Sequence, residues 1–385
     1  MKTIKRALAW IFALFVLLNI IVLITGNGYI YKALIYQYAA IDNYKIFENR
    51  AVAAGNYIPI PNALTYNKTH LSVPLRNYLQ RTQTVAFLVL KNDSVSYEEY
   101  WDSFGPDSYS NSFSAAKSIV SILIGIAMDE GKIKSADQKV SDFIPEYNED
   151  LNAQLTIKHL LTMSAGFDFD ESYASLFSMT TKAYYGTRLK NMVLNLQVVE
   201  TPGKEFNYQS CNQLVLAYIL EKATGKTLSQ YASEKLWIPL GAKNDALWSL
   251  DKENGMEKAY CCFNSNARDF SRFGTLYLHK GKFNNKQIVS QAYVNRSIEP
   301  APLVDDVGKK SDCYGYSWWL TDVNGEKVFY AQGILGQFIF VVPSENIVAV
   351  RLGKKREPEG DMSASQYLAN TIIDEFKDKN DIDKN

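Results

Sequence analysis

The chain has 385 residues, 47% of them hydrophobic, and carries 41 Lys plus Arg against 41 Asp plus Glu. That length supplies one large core or two merged subdomains, and 25 Tyr with 19 Phe suit rigid pocket walls better than disorder. Balanced charge without a basic stripe argues against a nucleic-acid partner.

Lys2, Lys5 and Arg6 precede residues 7–25, an uncharged stretch in which only Asn19 and Thr25 are polar. At 1.5 Å per residue, such a helix crosses a hydrocarbon layer of roughly 30 Å. A cleaved signal has a shorter apolar region, about 7–15 residues, and an A-x-A-like site. No such site stands out before Gly26-Asn27-Gly28. Residues 1–27 are therefore expected to be a membrane anchor, with a cleaved signal segment as the alternative. Either way the positive flank stays inside and the rest is exported. It then faces the periplasm or exterior, or is secreted if the segment is cleaved.

Residues 28–80, interrupted by Pro59, Pro61 and Pro74, read as a lead-in. Residues 84–90 (TVAFLVL) form a continuous apolar strand, Asn92-Asp93 marks a turn and 95–101 a second strand, so a hairpin is expected. Residues 119–128 are apolar nearly all round and meet Gly131 as a C-terminal cap, the pattern of a helix buried in the middle of the protein. Thr156 reads as the N-cap of a short helix carrying His159, where the histidine is structural. Residues 211–224, stopped by Gly225, and 229–237 read as further helices. Apolar runs at 328–331, 338–342 and 347–352 lie between turn signals, and a helix over 362–376 follows. The charged tail 377–385 is expected to be mobile. Strands at both ends with helices between them predict an α/β (α+β) chain: an antiparallel sheet flanked by helices, plus a helical subdomain. One domain over 81–376 is expected, its sheet part at 81–113 and 260–376 and its helical part at 114–259.

The chemistry concentrates at three places. Ser114-Ala115-Ala116-Lys117 opens the buried helix, where free N–H groups and the helix dipole favour negative charge. Lys117 is one turn on, on the same face. A serine needs a group that takes its proton, and a lysine in a dry pocket can serve. Read alone, the pattern equally fits an N-cap followed by a solvated lysine. Tyr208-Gln209-Ser210 adds a phenol that can exchange a proton beside an ammonium and a hydroxyl in reach of lysine or substrate. Ala331-Gln332-Gly333-Ile334 leads into a strand, and a glycine there lets a substrate approach closely. A backbone N–H at that point, paired with that of Ser114, would make an oxyanion hole. Tyr184 and Tyr185 are aromatic packing residues that also suit a pocket wall, and Asp168 and Asp170 read as loop residues.

Together these motifs resemble the serine β-lactamase and penicillin-binding-protein superfamily. The similarity is greatest to its class C-like branch, with its esterases and 6-aminohexanoate-dimer hydrolases. The resemblance spans roughly 80 to 375 and includes SFSAAKSIVSILIGIAMDEGKI at 112–133, LTIKHLLTMSAGFDFDE at 155–171, PGKEFNYQSCNQLVLAYILEKATGKTL at 202–228, ARDFSRFGTLYLHKG at 267–281 and YGYSWWL at 314–320. It implies a β-lactamase/transpeptidase-like fold and a serine hydrolase in which Ser114 attacks a carbonyl while Lys117 and Tyr208 share the proton work. The N–H groups of Ser114 and Ile334 would form the oxyanion hole. Ser210, Gly333 and Tyr185 would contact the substrate. Penicillin-active members carry Lys-Thr-Gly or His-x-Gly at the third motif, where this chain has Ala331-Gln332-Gly333. Loss of the cation that would hold a substrate carboxylate argues against efficient β-lactam or D-Ala-D-Ala turnover and favours esters or linear amides without a nearby carboxylate. The expected partner is a small-molecule ester, amide or peptide substrate. A D,D-peptidase or β-lactamase, and an acylation sensor without turnover, are the alternatives.

Cys211, Cys261, Cys262 and Cys313 form no zinc-spaced cluster, and neither a metal nor an organic cofactor is implied. Adjacent Cys261 and Cys262 are expected to be small buried thiols.

Overall fold

The computed structural model describes residues 2–378. The mobility expected of the charged tail therefore concerns residues lying mostly outside the described ones.

The central sheet has six antiparallel strands. They are β1 (Thr84–Lys91), β2 (Ser94–Tyr100), β3 (Trp319–Val323), β4 (Glu326–Gly333), β5 (Gln337–Val342) and β6 (Ile347–Gly353), in the spatial order β3-β4-β5-β6-β1-β2. The helices that frame the site are α1 (Lys2–Ile24), α2 (Tyr29–Tyr36), α3 (Val73–Arg81), α4 (Ala116–Asp129), α5 (Met179–Tyr185), α6 (Cys211–Thr224), α7 (Ala267–Leu278) and α8 (Ala364–Phe376).

The continuous apolar runs are explained by burial on both faces of this sheet. In β1, Phe87 and Val89 point into a layer shared with Leu75 and Leu79 of α3 and Leu368 and Ile372 of α8. Ala86, Leu88 and Leu90 point the other way, into the main core. β5 alternates likewise, with Phe338 and Phe340 on the α8 side and Ile339 and Val341 on the core side. Side chains alternate with period two along a strand, so a strand covered on both faces loses the polar half of its pattern. The β1–β2 turn has positive φ at both Asn92 (49°) and Asp93 (61°), the backbone of a tight hairpin that follows the strand twist.

A second, smaller antiparallel sheet lines up Asn49–Val52, Ala246–Ser249, Phe263–Ser265 and Ser110–Asn111. It positions the site, because Ser110–Asn111 runs directly into Ser114 and Phe263–Ser265 emerges from Tyr260-Cys261-Cys262. The helical part lies between these sheet segments. There α4 is buried along almost its whole length and packs on α6. Gly225 closes α6 with φ 69°, a conformation that carries no Cβ penalty for glycine.

Three features depart from the sequence reading. Residues 28–80 are more than a lead-in. Within them α2 packs on α5, Asn49–Val52 completes the second sheet and α3 covers the central one. The edge strand β3 falls where no strand was expected. Finally, Cys261 and Cys262 are joined in a disulfide instead of standing as two thiols. Cys262 adopts φ 66°, a left-handed turn that brings adjacent side chains onto one side. Among the described residues Cys211 and Cys313 are free.

α1 is 23 residues long with no residue buried, long and apolar enough to cross a membrane.

Candidate active site

Ser114 sits in a single 3-10 turn, Phe113–Ala115, that feeds straight into α4. The turn is held from outside. The N–H of Phe113 donates to Asn111 Oδ1 at 2.8 Å, and the same oxygen accepts the N–H of Cys262 at 3.1 Å. Ser112 N–H donates to Phe263 O at 2.9 Å. Phe113 has φ 44°, a strained conformation for a bulky residue that persists only when its surroundings over-determine it.

One turn along α4, the buried Lys117 ammonium donates three hydrogen bonds. They go to Ser114 Oγ at 3.0 Å, Ser210 Oγ at 3.3 Å and Tyr260 O at 3.2 Å. Three oxygens surround Nζ, one for each N–H of an ammonium, while the neutral amine keeps a lone pair for the Ser114 proton. Nζ also lies 4.7 Å from the centre of the Tyr208 ring, within cation–π range.

Ser210 is held by a group that the sequence reading passed over. Glu171 accepts the N–H of Ser210 at Oε2 (2.7 Å) and the hydroxyl of Ser210 at Oε1 (2.6 Å). Oε1 also accepts the Tyr173 hydroxyl at 2.7 Å. A chain of polar groups therefore runs Tyr173–Glu171–Ser210–Lys117–Ser114. Glu171 ends the matched stretch 155–171, directly after Asp168 and Asp170. Those two stay outside this chain of groups: the Asp168 N–H donates to Gln197 O and Asp170 Oδ1 accepts the N–H of Ser172. Nothing local in sequence distinguishes Glu171, since its partner Ser210 lies 39 residues away.

The structure brings Ser114, Lys117 and Ser210 into direct contact and sets the Tyr208 ring against the ammonium. Tyr208 stacks on Trp319 (5.3 Å, 30°) and meets Tyr314 edge-on (5.9 Å). Among the described residues, no hydrogen bond joins its hydroxyl to Ser114 or Lys117.

Gly333 ends β4 against the nucleophile turn. A Cβ there would lie 2.2 Å from Ser112 O and 3.0 Å from Phe113 Cβ, so only glycine lets the strand come this close. Ile334 follows and lines the same cavity as Ser114. The turn after it is braced by the buried Arg351, whose guanidinium donates to Leu335 O (3.1 Å), Gly336 O (2.7 Å) and Thr82 O (2.7 Å). Burial lowers the Arg351 pKa to about 10.

The cavity over Ser114 has a volume of about 210 Å³, and Tyr184, Tyr185, Tyr260 and Cys261 are among its walls. Asn43 donates to the Tyr184 hydroxyl at 3.0 Å. The buried hydroxyls of Tyr185 and Tyr260 have no partner among the described residues. Tyr38 and Ala39 complete the rim, so the segment following α2 forms part of the cavity.

His159 stands apart from this chain of groups. Its Nδ1 accepts the N–H of Thr156 at 3.2 Å in a reciprocal cap, and burial lowers its pKa to about 4.

Residues 75–371 match the family model described as Beta-lactamase. A 6-aminohexanoate-dimer hydrolase of Paenarthrobacter ureafaciens is 30% identical over 302 residues, covering 74% of this chain and 76% of the relative. In fold, the chain resembles a Bacillus anthracis protein provisionally named a 6-aminohexanoate-dimer hydrolase (TM-score 0.76, 22% identity, 87% of this chain and 92% of that one). It also resembles a family VIII carboxylesterase (TM-score 0.63, 16% identity, 78% and 94%). The sheet order, the Ser-x-x-Lys turn on a buried helix and these likenesses lead to one conclusion: this chain belongs to the beta-lactamase family.

Proposed function

We propose that the protein is a membrane-anchored serine hydrolase that cleaves a carboxylic ester or linear amide through an acyl-enzyme on Ser114. The observation that carries this reading is the 3.0 Å contact between Lys117 Nζ and Ser114 Oγ, in a turn whose backbone is held rigidly. The hydrolase and carboxylesterase names of the relatives support the substrate class, and α1 supports the anchor.

In the proposed reaction Ser114 Oγ attacks the substrate carbonyl carbon. In this step Lys117 acts as the neutral amine: its lone pair takes the Ser114 proton, which passes with the help of Tyr208 to the leaving alcohol or amine as the C–O or C–N bond breaks. Water then attacks the Ser114 ester, gives its proton to the same pair and releases the carboxylic acid, and the proton returns to Ser114. The N–H groups of Ser114 and Ile334 face the oxyanion in both steps, an effect worth about 3–4 kcal/mol per donor in comparable sites. Ala331 stands where penicillin-active relatives carry a cation, which favours substrates without an adjacent carboxylate.

The test compares wild type and Ser114→Ala on a p-nitrophenyl ester, a chromogenic cephalosporin and a D-Ala-D-Ala peptide, with intact-mass detection of the acyl adduct. Ester turnover and a Ser114 adduct are expected in wild type alone. Undiminished ester turnover in Ser114→Ala overturns the mechanism, and cephalosporin hydrolysis faster than ester hydrolysis overturns the substrate class.

A further inference from the structure

The segment between α1 and the catalytic cavity is short and firmly seated. α1 ends at Ile24 and is continued by a turn in which the N–H of Asn27 donates to Val22 O at 2.9 Å. The Tyr31 hydroxyl of α2 reaches back to Asn19 of α1. On its inner face α2 buries Tyr29 and Ala33 and packs on α5, which supplies Tyr184 and Tyr185 to the cavity. The anchor is thus coupled to a wall of the catalytic cavity by packed side chains rather than by a loose tether.

The outer face of the same segment is apolar and open. Leu34, Ile35 and Tyr38 are 53%, 72% and 83% exposed, and Tyr38 itself lines the cavity. The loop at 171–178 exposes Phe177 (76%) and Tyr173 (58%), the latter also a lining residue. Single exposed apolar side chains are ordinary, but two exposed aromatic rings at one cavity, Tyr38 and Tyr173, each beside further exposed apolar side chains and one of them following a bilayer-length helix, are not. Arg188 packs its guanidinium on Gly26, where a Cβ would lie 2.7 Å from Nη1. Positive charge therefore sits at the end of α1, where a spanning helix would meet the lipid phosphates.

We infer that the Ser114 cavity opens onto the membrane surface and that its substrate is an acyl ester or amide whose hydrocarbon chain resides in the bilayer, admitted past Tyr38 and Tyr173. The inference rests on the proposed acyl-enzyme chemistry and on anchoring by α1. The apolar rim seats against the interface as an amphipathic surface does, and the substrate's chain moves from lipid to an apolar cavity without crossing water.

The test uses the full chain reconstituted in phosphatidylcholine vesicles, with p-nitrophenyl palmitate carried in the vesicles and p-nitrophenyl butyrate in solution. The palmitoyl ester is expected to be turned over at least tenfold more efficiently than the butyryl ester. Ile35→Asp and Phe177→Asp alter side chains that do not line the cavity. Each is expected to lower palmitate turnover at least tenfold and to leave butyrate turnover within twofold. Butyrate hydrolysis with no palmitate preference, or rim variants that leave palmitate turnover unchanged, overturns the membrane-borne substrate alone, as does failure of the protein to float with the vesicles. Hydrolysis of neither ester, with no adduct on Ser114, overturns the acyl-enzyme reading together with it.

Discussion

Replacing Glu171 by Gln changes one atom at the far end of the polar chain. Glu171 accepts from the Ser210 N–H through one oxygen and from two hydroxyls, those of Ser210 and Tyr173, through the other. The amide keeps one carbonyl oxygen. It must stay opposite the Ser210 N–H, because an NH2 group there would face another donor. The NH2 group then faces the two hydroxyls, and Ser210 Oγ meets donors on two sides, the new amide and Lys117. The bond lost is one to a charged acceptor, worth about 1.5–3 kcal/mol. If the loss falls on the transition state, kcat/KM drops about 10- to 150-fold. Overall stability changes little, because Glu171 is only half-buried. The assay is kcat/KM for p-nitrophenyl butyrate with a melting curve as the folding control. Ser210→Ala is expected to give a similar loss, and the double variant no more than the larger single one, as for groups acting as a unit. A Glu171→Gln enzyme within twofold of wild type, beside an inactive Ser114→Ala, would refute the positioning role.

Two other changes probe the surroundings. Gly333→Ala puts a methyl 2.2 Å from Ser112 O and must part β4 from the nucleophile turn. A stability loss of about 1–3 kcal/mol is expected in urea melts together with at least a tenfold fall in ester turnover; retention of both would show the close approach to be dispensable. Lys258 is buried with no hydrogen-bond partner among the described residues, its ammonium 4.7 Å from the Phe47 ring centre, and burial lowers its pKa from 10.5 to about 7. Between those values the unfolded chain binds the extra proton, so the penalty is complete below pH 7 and fades as pH rises toward 10.5. Lys258→Met should therefore stabilise the protein by at most about 4–5 kcal/mol at pH 6, with the gain shrinking by pH 9.5; a gain that does not change with pH would contradict the burial argument.

The sequence displayed what local pattern can carry. Doubly covered strands appear as unbroken apolar runs, and Ser114 and Lys117 lie one helical turn apart. What it hid arises between distant segments. Glu171 acts on Ser210 across a loop, and Tyr260 contributes a carbonyl oxygen, which every residue has. β3 is a half-buried edge strand carrying Asp322, so its apolar signal is weak. The strand Asn49–Val52 has its partner nearly two hundred residues on, at Ala246–Ser249, and α2 is recognisable as structure only through its seat on α5. The pairing of Cys261 with Cys262 depends on a left-handed backbone at Cys262, which its side chain does not advertise.

The central sheet also sets a timetable. β1 pairs on one side with β2, which follows at once, but on its other side with β6, where Lys91 lies opposite Ile347. At a synthesis rate of about 5–20 residues per second, roughly 250 residues separate the two, so β1 waits on the order of 10–50 s for that neighbour. Throughout that interval an apolar strand shows one unpaired edge, the kind of surface that recruits other chains. Helix α1 precedes it and has left the ribosome by then. A nascent chain tethered by α1 would spend this vulnerable period held at one place on the membrane, spaced from its neighbours by the density of insertion sites.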